Sequence, residues 1–253
     1  MLHRSVSARR VSVISVYPEF AEWVLSVVEM KRKLTIAIDG PAGSGKTTIA
    51  HLVARRLGLV CVETGAMYRA VAWQARKLGI AAEDARALAE MTQQTELRLE
   101  PLPDGRARVL LSGRDITDEL RSPELEQLAS RISTHGEVRR RLVALQRGIA
   151  AGGGVVVEGR DIQTVVLPDA EVKIFLTASS EERARRRMKD LEAAGRPARF
   201  EDVLASVRDR DARDRTRDAS PLRPAPDAAI INTDGMTIEE VVGRVVALAN
   251  GVT

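Results

Sequence analysis

The sequence predicts an α/β fold built on a mostly parallel sheet. Three observations predict it. Short β-branched apolar runs alternate with stretches of helical periodicity, glycines stand just past the ends of two early helical stretches, and one strand-to-helix junction carries a glycine-rich loop of fixed spacing.

Leu34–Asp39 is apolar and β-branched and reads as the first strand. Thr47–Leu57 follows as a helix ended by Gly58, Leu59–Val62 as a short buried strand, and Ala66–Leu78 as a helix with Gly79 just beyond it. Leu97–Glu100 and Ala107–Leu111 flank Pro101-Leu102-Pro103-Asp104-Gly105, a turn sequence that predicts an antiparallel hairpin inserted into the alternation. Helices are predicted near 123–133 and 137–150, the second with Val138, Leu142, Leu145 and Ile149 as its buried face and Arg139, Arg140, Arg141 and Arg147 flanking it, most of them in solvent. Val155–Glu158 and Val172–Leu176 are buried strands. Helices at about 180–193 and 201–217, a strand at 228–232 and a helix at 237–249 complete the chain.

The first 29 residues read differently. Arg4 to Arg10 is Ser/Arg-rich and lacks the apolar run of a signal peptide, while Pro18 opens a short amphipathic helix with Phe20, Trp23, Val24, Val27 and Val28 on one face. Met30 then precedes a basic cluster, Lys31-Arg32-Lys33. Translation is expected to start at Met30, which makes residues 1–32 an extension outside the folded unit.

Composition narrows the function. The 253 residues are 44% apolar, enough for a sizeable core, yet hold no uninterrupted apolar run near the length of a bilayer span. One cysteine and three scattered histidines supply neither a disulfide nor a multi-Cys zinc site, so a reducing, cytoplasmic setting is expected. Basic and acidic residues nearly balance, 39 against 35, and base-stacking aromatics are scarce at 3%, which argues against a nucleic-acid track. The bases are 33 Arg to 6 Lys, a bias that suits forked recognition of phosphate and that a GC-rich genome also produces.

The loop Gly40-Pro41-Ala42-Gly43-Ser44-Gly45-Lys46-Thr47, with Thr48 after it, matches G-x-x-x-x-G-K-[ST] between a β-branched strand and a helix. In that context glycines turn backbone N–H groups inward around a β-phosphate, and the helix N-terminus adds its positive dipole end. Lys46 reaches the β/γ oxygens, and the Thr47 hydroxyl is the candidate Mg²⁺ ligand. The sequence has no Asn-Lys-x-Asp guanine reader, and this tilts the reading toward a small-molecule kinase. In the helix at 201–217, the apolar stripe of Val203 and Val207 continues through Arg210, Asp214 and Arg217. Charges on a core stripe suggest a cleft that holds an anion; a solvated helix laced by pairs such as Asp209–Arg213 and Asp211–Arg215 fits the periodicity equally well.

Taken in order, Gly40–Thr48 (GPAGSGKTT), Glu63–Arg69 (ETGAMYR), Glu158–Thr164 (EGRDIQT), Pro168–Leu176, Ser179–Met188 and Arg210–Leu222 (RDARDRTRDASPL) resemble bacterial cytidylate kinase, over about residues 33–250. The resemblance implies a nucleoside monophosphate kinase fold. Its core, at 33–64 and 153–250, would hold a five-stranded parallel sheet, with an NMP-binding region at about 65–150 carrying the antiparallel insert and a lid at about 184–200. It implies ATP and Mg²⁺ as donor and cofactor and CMP and dCMP as acceptors. A monomer that engages neither nucleic acid nor membrane is expected. Carried over by position, the acceptor would meet Thr64, Arg69, Arg139, Arg160, Asp161, Arg210, Asp214 and Arg217; Lys46, Arg160, Arg186 and Arg187 would supply transition-state charge. Asp161 would accept from the cytosine amino group. The chain departs from the family pattern at Glu63 and Glu158, where Asp is commoner, at Gln163, where many relatives have Gly, and at Ser220, which replaces Ala.

Overall fold

The computed structural model describes residues 34–102 and 107–252. The helix expected from Pro18, the basic cluster at 31–33 and the hairpin turn at 103–106 lie outside the described residues.

Five strands form one sheet in the order β2-β6-β1-β7-β8, every pair parallel: β1 (Thr35–Asp39), β2 (Val60–Glu63), β6 (Val155–Gly159), β7 (Val172–Thr177) and β8 (Ala229–Asn232). The sheet is covered on both faces, so β1 and β6 read as unbroken apolar runs rather than alternating ones. On one face, helices α1 (Lys46–Leu57) and α8 (Ile238–Asn250) pack Ile49, Val53, Val241 and Val245 onto Ile36, Ile38 and Ile174. On the other, α5 (Gly136–Ala150) and the turn of π-helix at Ile162–Val166 close over Ala37, Val62 and Val157.

A second core joins α2 (Thr64–Lys77), α3 (Ala85–Gln94) and α4 (Pro123–Ile132) to a three-stranded antiparallel sheet of β3 (Leu97–Pro101), β4 (Ala107–Leu111) and β5 (Arg114–Asp115). Helices α6 (Ser180–Ala193) and α7 (Phe200–Thr216) pack on each other beyond β7.

Besides the short turns of helix at Thr117–Leu120 and Ile162–Val166, the structure adds to or shifts elements read from sequence. Helix α3 was not anticipated, although Asp84 caps it by accepting from the Ala87 N–H and Leu88 and Met91 are buried beneath it. The hairpin gains a third strand, β5, whose two residues are too few to show a period. The buried face of α5 is wider than expected and shifted in part: Val138 and Leu142 are buried and Leu145 is half-buried, as the periodicity predicts, but Arg139, Val143 and Gln146 are buried too and Ile149 is exposed. The shift follows from what α5 packs against, because its Arg147 donates to the carbonyls of Val165 and Val166 and Arg139 is drawn in by Asp161.

Register positions the site. Asp39, the last residue of β1, pairs with Gly159 of β6, so the loop after Asp39 and the loop after Gly159 leave the sheet side by side at its carboxyl edge.

Candidate active site

The loop leaving β1 is a phosphate cradle in shape. Gly43 and Gly45 hold φ of 76° and 89°, a region open to glycine, and Gly45 caps the N-terminus of α1. Lys46 is buried, and its Nζ donates to the Pro41 carbonyl at 2.7 Å, so the ammonium is folded over its own loop. Burial, then the nearby Arg160 charge, lowers the Lys46 pKa from 10.5 to about 7, against the pull of Glu158.

Three strand ends bring carboxylates to this loop. Asp39 accepts from the N–H groups of Ile162 and Gln163 at 3.0 and 2.9 Å, tying β1 to the loop that starts with Arg160 and Asp161; complete burial pushes its pKa up to about 7. Glu158 accepts from the Thr47 hydroxyl at 3.3 Å, and burial raises its pKa. Glu63 meets Arg69 at 2.5 Å and His51 at 3.9 Å. Its burial works the other way, but the nearby His51 and the hydrogen-bonded charge of Arg69 hold its pKa at about 2. A hydroxyl with a carboxylate oxygen beside it is an all-oxygen donor set that suits Mg²⁺, so Thr47 and Glu158 fit that ion.

The opposite wall is built from guanidinium–carboxylate pairs. Arg139 and Asp161 form a buried ion pair, with the guanidinium 5.6 Å from the Tyr68 ring centre. Arg160 donates to Asp214 at 3.0 Å, and Arg217 reaches the same carboxylate at 3.9 Å. Asp214 is held below its usual range: burial opposes this, but Arg160, Arg210 and Arg217 outweigh it. Arg210 and Arg187 both approach Glu126, at 3.9 and 3.0 Å. Burial and the neighbouring Arg160 lower the Arg210 pKa to about 10. Arg139, Arg210 and Arg217 each keep one buried nitrogen without a hydrogen-bond partner. Buried positive groups, crowded together and incompletely paired, make this wall chemically suited to an anion.

One cleft of about 890 Å³ is lined by Ala42 to Thr48 and by Thr64, Arg69, Arg139, Arg160, Asp161, Arg186, Arg187, Arg210, Asp214 and Arg217. Two residues assigned to the donor site from sequence, Gly40 and Pro41, are not on its wall. A Cβ on Gly40 would lie 2.0 Å from the Leu176 carbonyl oxygen, so this glycine serves close packing of the loop on β7. Pro41 acts through its carbonyl on Lys46. The solvated-helix alternative for α7 is overturned in one detail: Asp211 is buried against Arg183 of α6 rather than facing solvent opposite Arg215.

Sequence reasoning missed Ser130. Its hydroxyl on α4 is buried in the cleft wall without a hydrogen-bond partner. A lone serine in a helix carries no local signal for such a role. The departures also acquire roles. Gln163 is buried, donates to the Ile174 carbonyl at 2.8 Å and accepts from the Ala225 N–H at 3.0 Å, which staples the π-turn to β7 and to the segment after α7. Ser220 adopts φ 57°, and its carbonyl accepts from Arg217 Nε at 2.7 Å.

The family model described as cytidylate kinase matches residues 36–251. A cytidylate kinase from Desulfitobacterium hafniense (strain Y51) is 52% identical over 221 residues, covering 87% of this chain and 94% of that protein. One from Pelotomaculum thermopropionicum is 50% identical over 212 residues, 84% of this chain and 94% of that protein. A third, from Geobacillus kaustophilus (strain HTA426), is 47% identical over 221 residues, 87% of this chain and 98% of that protein.

Proposed function

The chain belongs to the cytidylate kinase family, and from that premise we propose that it transfers the γ-phosphoryl group of ATP to CMP and dCMP, yielding CDP and dCDP. The observation that carries this reading is the meeting, in one cleft, of a phosphate-gripping turn and a buried arginine set matched to carboxylates. The first suits a polyphosphate donor; the second suits a singly phosphorylated acceptor with a polar base.

A CMP phosphate oxygen attacks the γ-phosphorus in line, and the bond to the ADP β-phosphate oxygen breaks. That nucleophile is already anionic near neutral pH, so no general base is needed, and the work falls to positioning and charge. Lys46, Arg160, Arg186 and Arg187 supply positive charge along the transfer path, while Thr64, Arg69, Arg210, Asp214 and Arg217 seat the acceptor phosphate and sugar. Asp161, held by Arg139, accepts from the cytosine amino group, and the Ser130 hydroxyl offers a further hydrogen bond to the ring edge. Mg²⁺, held through Thr47 with Glu158 beside it, would neutralise the β- and γ-phosphate oxygens when bound. Closure of the lid at about 184–200 and of the NMP-binding region at about 65–150 over the core excludes water from the transfer path.

We read the enzyme as a cytoplasmic monomer acting on small molecules. No described helix is long and apolar enough to cross a membrane, and the cleft arginines are sequestered against carboxylates rather than laid out as an open basic track.

The test is ADP release from ATP·Mg²⁺ with CMP, dCMP, UMP, AMP and GMP. Turnover with CMP and dCMP should exceed that with UMP, AMP or GMP by at least about tenfold, since a site built to bond the amino group leaves buried groups unpaired with a wrong base. A purine nucleotide as the best acceptor would overturn the reading.

Donor binding should also take up a proton. Lys46 in the free protein has a pKa near 7, and a bound triphosphate favours its charged form and raises that value. At pH 8, where ATP itself is fully ionised, binding should therefore bring net proton uptake, shared between Lys46 and the carboxylates beside it, Asp39 and Glu158, and ATP affinity should fall as pH rises through 7. Titration calorimetry in buffers of different ionisation enthalpy reads this as a slope; a flat plot would contradict it.

A further inference from the structure

Arg183 and Asp211 have no place in the chemistry above, yet they form the most completely bonded ion pair at its edge. Arg183 is only 2% exposed. Its Nε donates to the Ala178 carbonyl at 3.0 Å. Its Nη1 donates to the Ala42 carbonyl at 3.1 Å and to Asp211 Oδ1 at 2.9 Å. Its Nη2 donates to Asp211 Oδ2 at 2.5 Å and to Ser180 Oγ at 3.4 Å. A guanidinium has five N–H groups, and these five bonds use them all, so none is left for a phosphate.

The partners lie on three separate pieces of the site. Ala42 belongs to the phosphate-gripping turn, and a Cβ on the next residue, Gly43, would sit 3.2 Å from Arg183 Cβ, so the turn rests directly on this side chain. Arg183 stands on α6, one helical turn from Arg186 and Arg187. Asp211 stands on α7 between Arg210 and Asp214, which line the acceptor side of the cleft. One buried fork therefore sets the distance between the donor turn, the arginines that face it and the acceptor helix.

Arg183 lines the cleft, but with every N–H spent on the protein, and we propose that the Arg183–Asp211 pair is a positioning unit for phosphoryl transfer: it donates to neither nucleotide and holds the donor turn and the acceptor helix in transfer register. This rests on the kinase reading above. Because in-line transfer is sensitive to displacements of about 1 Å, and such a displacement can cost about 10²-fold, loss of the pair should appear in kcat more than in either KM. Lysine keeps the charge and loses the fork, so R183K should behave like D211N.

The experiment measures kcat, both KM values, thermal stability and the ratio of ADP to CDP formed for wild type, R183K, D211N, D211E and the R183K/D211N double variant. Folded variants should lose about 10²-fold in kcat with each KM within about threefold of wild type. The double variant should be no worse than the poorer single, because the two groups act as one, and the ADP to CDP ratio should rise above one as water competes in a loosened site. Three results would overturn the proposal: folded variants with wild-type kcat and only a lowered melting temperature, a rise in one KM at constant kcat, or additive losses in the double variant. D211E keeps the charge, so it supplies the kinetic reading if D211N does not fold. Wild-type turnover with CMP, run in parallel, separates the two ideas: an inactive wild type defeats the kinase reading, and an active wild type with fully active variants defeats the pair.

Discussion

Lys46→Met should fold and fail to transfer. Methionine matches the lysine stem in length and packs against the same walls, but it removes the ammonium that caps the Pro41 carbonyl and balances Glu158. Removing one group that stabilises transition-state charge costs about 10²–10³ in kcat, and cations on a transferring phosphoryl group reach 10³–10⁵. A loss of about 10³-fold or more is expected, equivalent to about 4 kcal/mol of barrier. The fold should not suffer. Burial already disfavours the charged lysine, as its lowered pKa of about 7 records, so an apolar replacement relieves that cost and the melting temperature should hold or rise. Steady-state turnover beside a thermal melt tests both halves, and turnover within tenfold of wild type would refute the role given to Lys46.

Asp161→Ala should cripple the acceptor side and spare the donor side. Asp161 is buried against Arg139 on the loop that Asp39 ties to the end of β1. Its removal takes away the acceptor proposed for the cytosine amino group and strands the buried Arg139 guanidinium. Breaking one side of a buried pair costs about 3–5 kcal/mol of stability; separately, losing a charged hydrogen bond worth about 1.5–3 kcal/mol should lower kcat/KM for CMP by about 10²-fold. ATP affinity, read by calorimetry, should stay within about threefold. Asp161→Asn, which keeps the shape and removes the charge, guards against a fold effect: CMP should still suffer far more than ATP, and preference for CMP over UMP should narrow. Equal losses for both nucleotides would assign Asp161 to the phosphates or the metal instead.

These two residues show how unevenly the site was legible. Lys46 is announced by its neighbours in sequence, because a phosphate cradle needs its glycines, lysine and hydroxyl within one turn of chain. Asp161 entered only through likeness to a family, since one aspartate after an apolar strand has no spacing of its own. Helix α7 stood between. Its stripe of Arg210, Asp214 and Arg217 was visible as charge where a core face should run, but periodicity could not separate a cleft from a solvated face. The cleft lining settles that for α7, and the burial of Asp211 against Arg183 shows why the helix-surface pairing failed. On α5 the periodicity was right for Val138 and Leu142, which are buried, and wrong for Ile149, which is exposed; the packed helix also buries Arg139 and Gln146, which no apolar pattern marks.

By itself the sequence determined the alternation of strands and helices, the glycine-rich loop between the first strand and helix, and membership of a kinase family, because each is written in local spacing or in motifs held in order along one chain. Only the tertiary structure decided which carboxylate meets which guanidinium: Arg139 with Asp161, Arg160 with Asp214 and Arg183 with Asp211, partners 22, 54 and 28 residues apart. The physical reason is that a charge is cheap in water wherever it falls in the sequence and costly once buried. Its partner is therefore chosen by which elements the sheet brings together, and no local pattern encodes that choice.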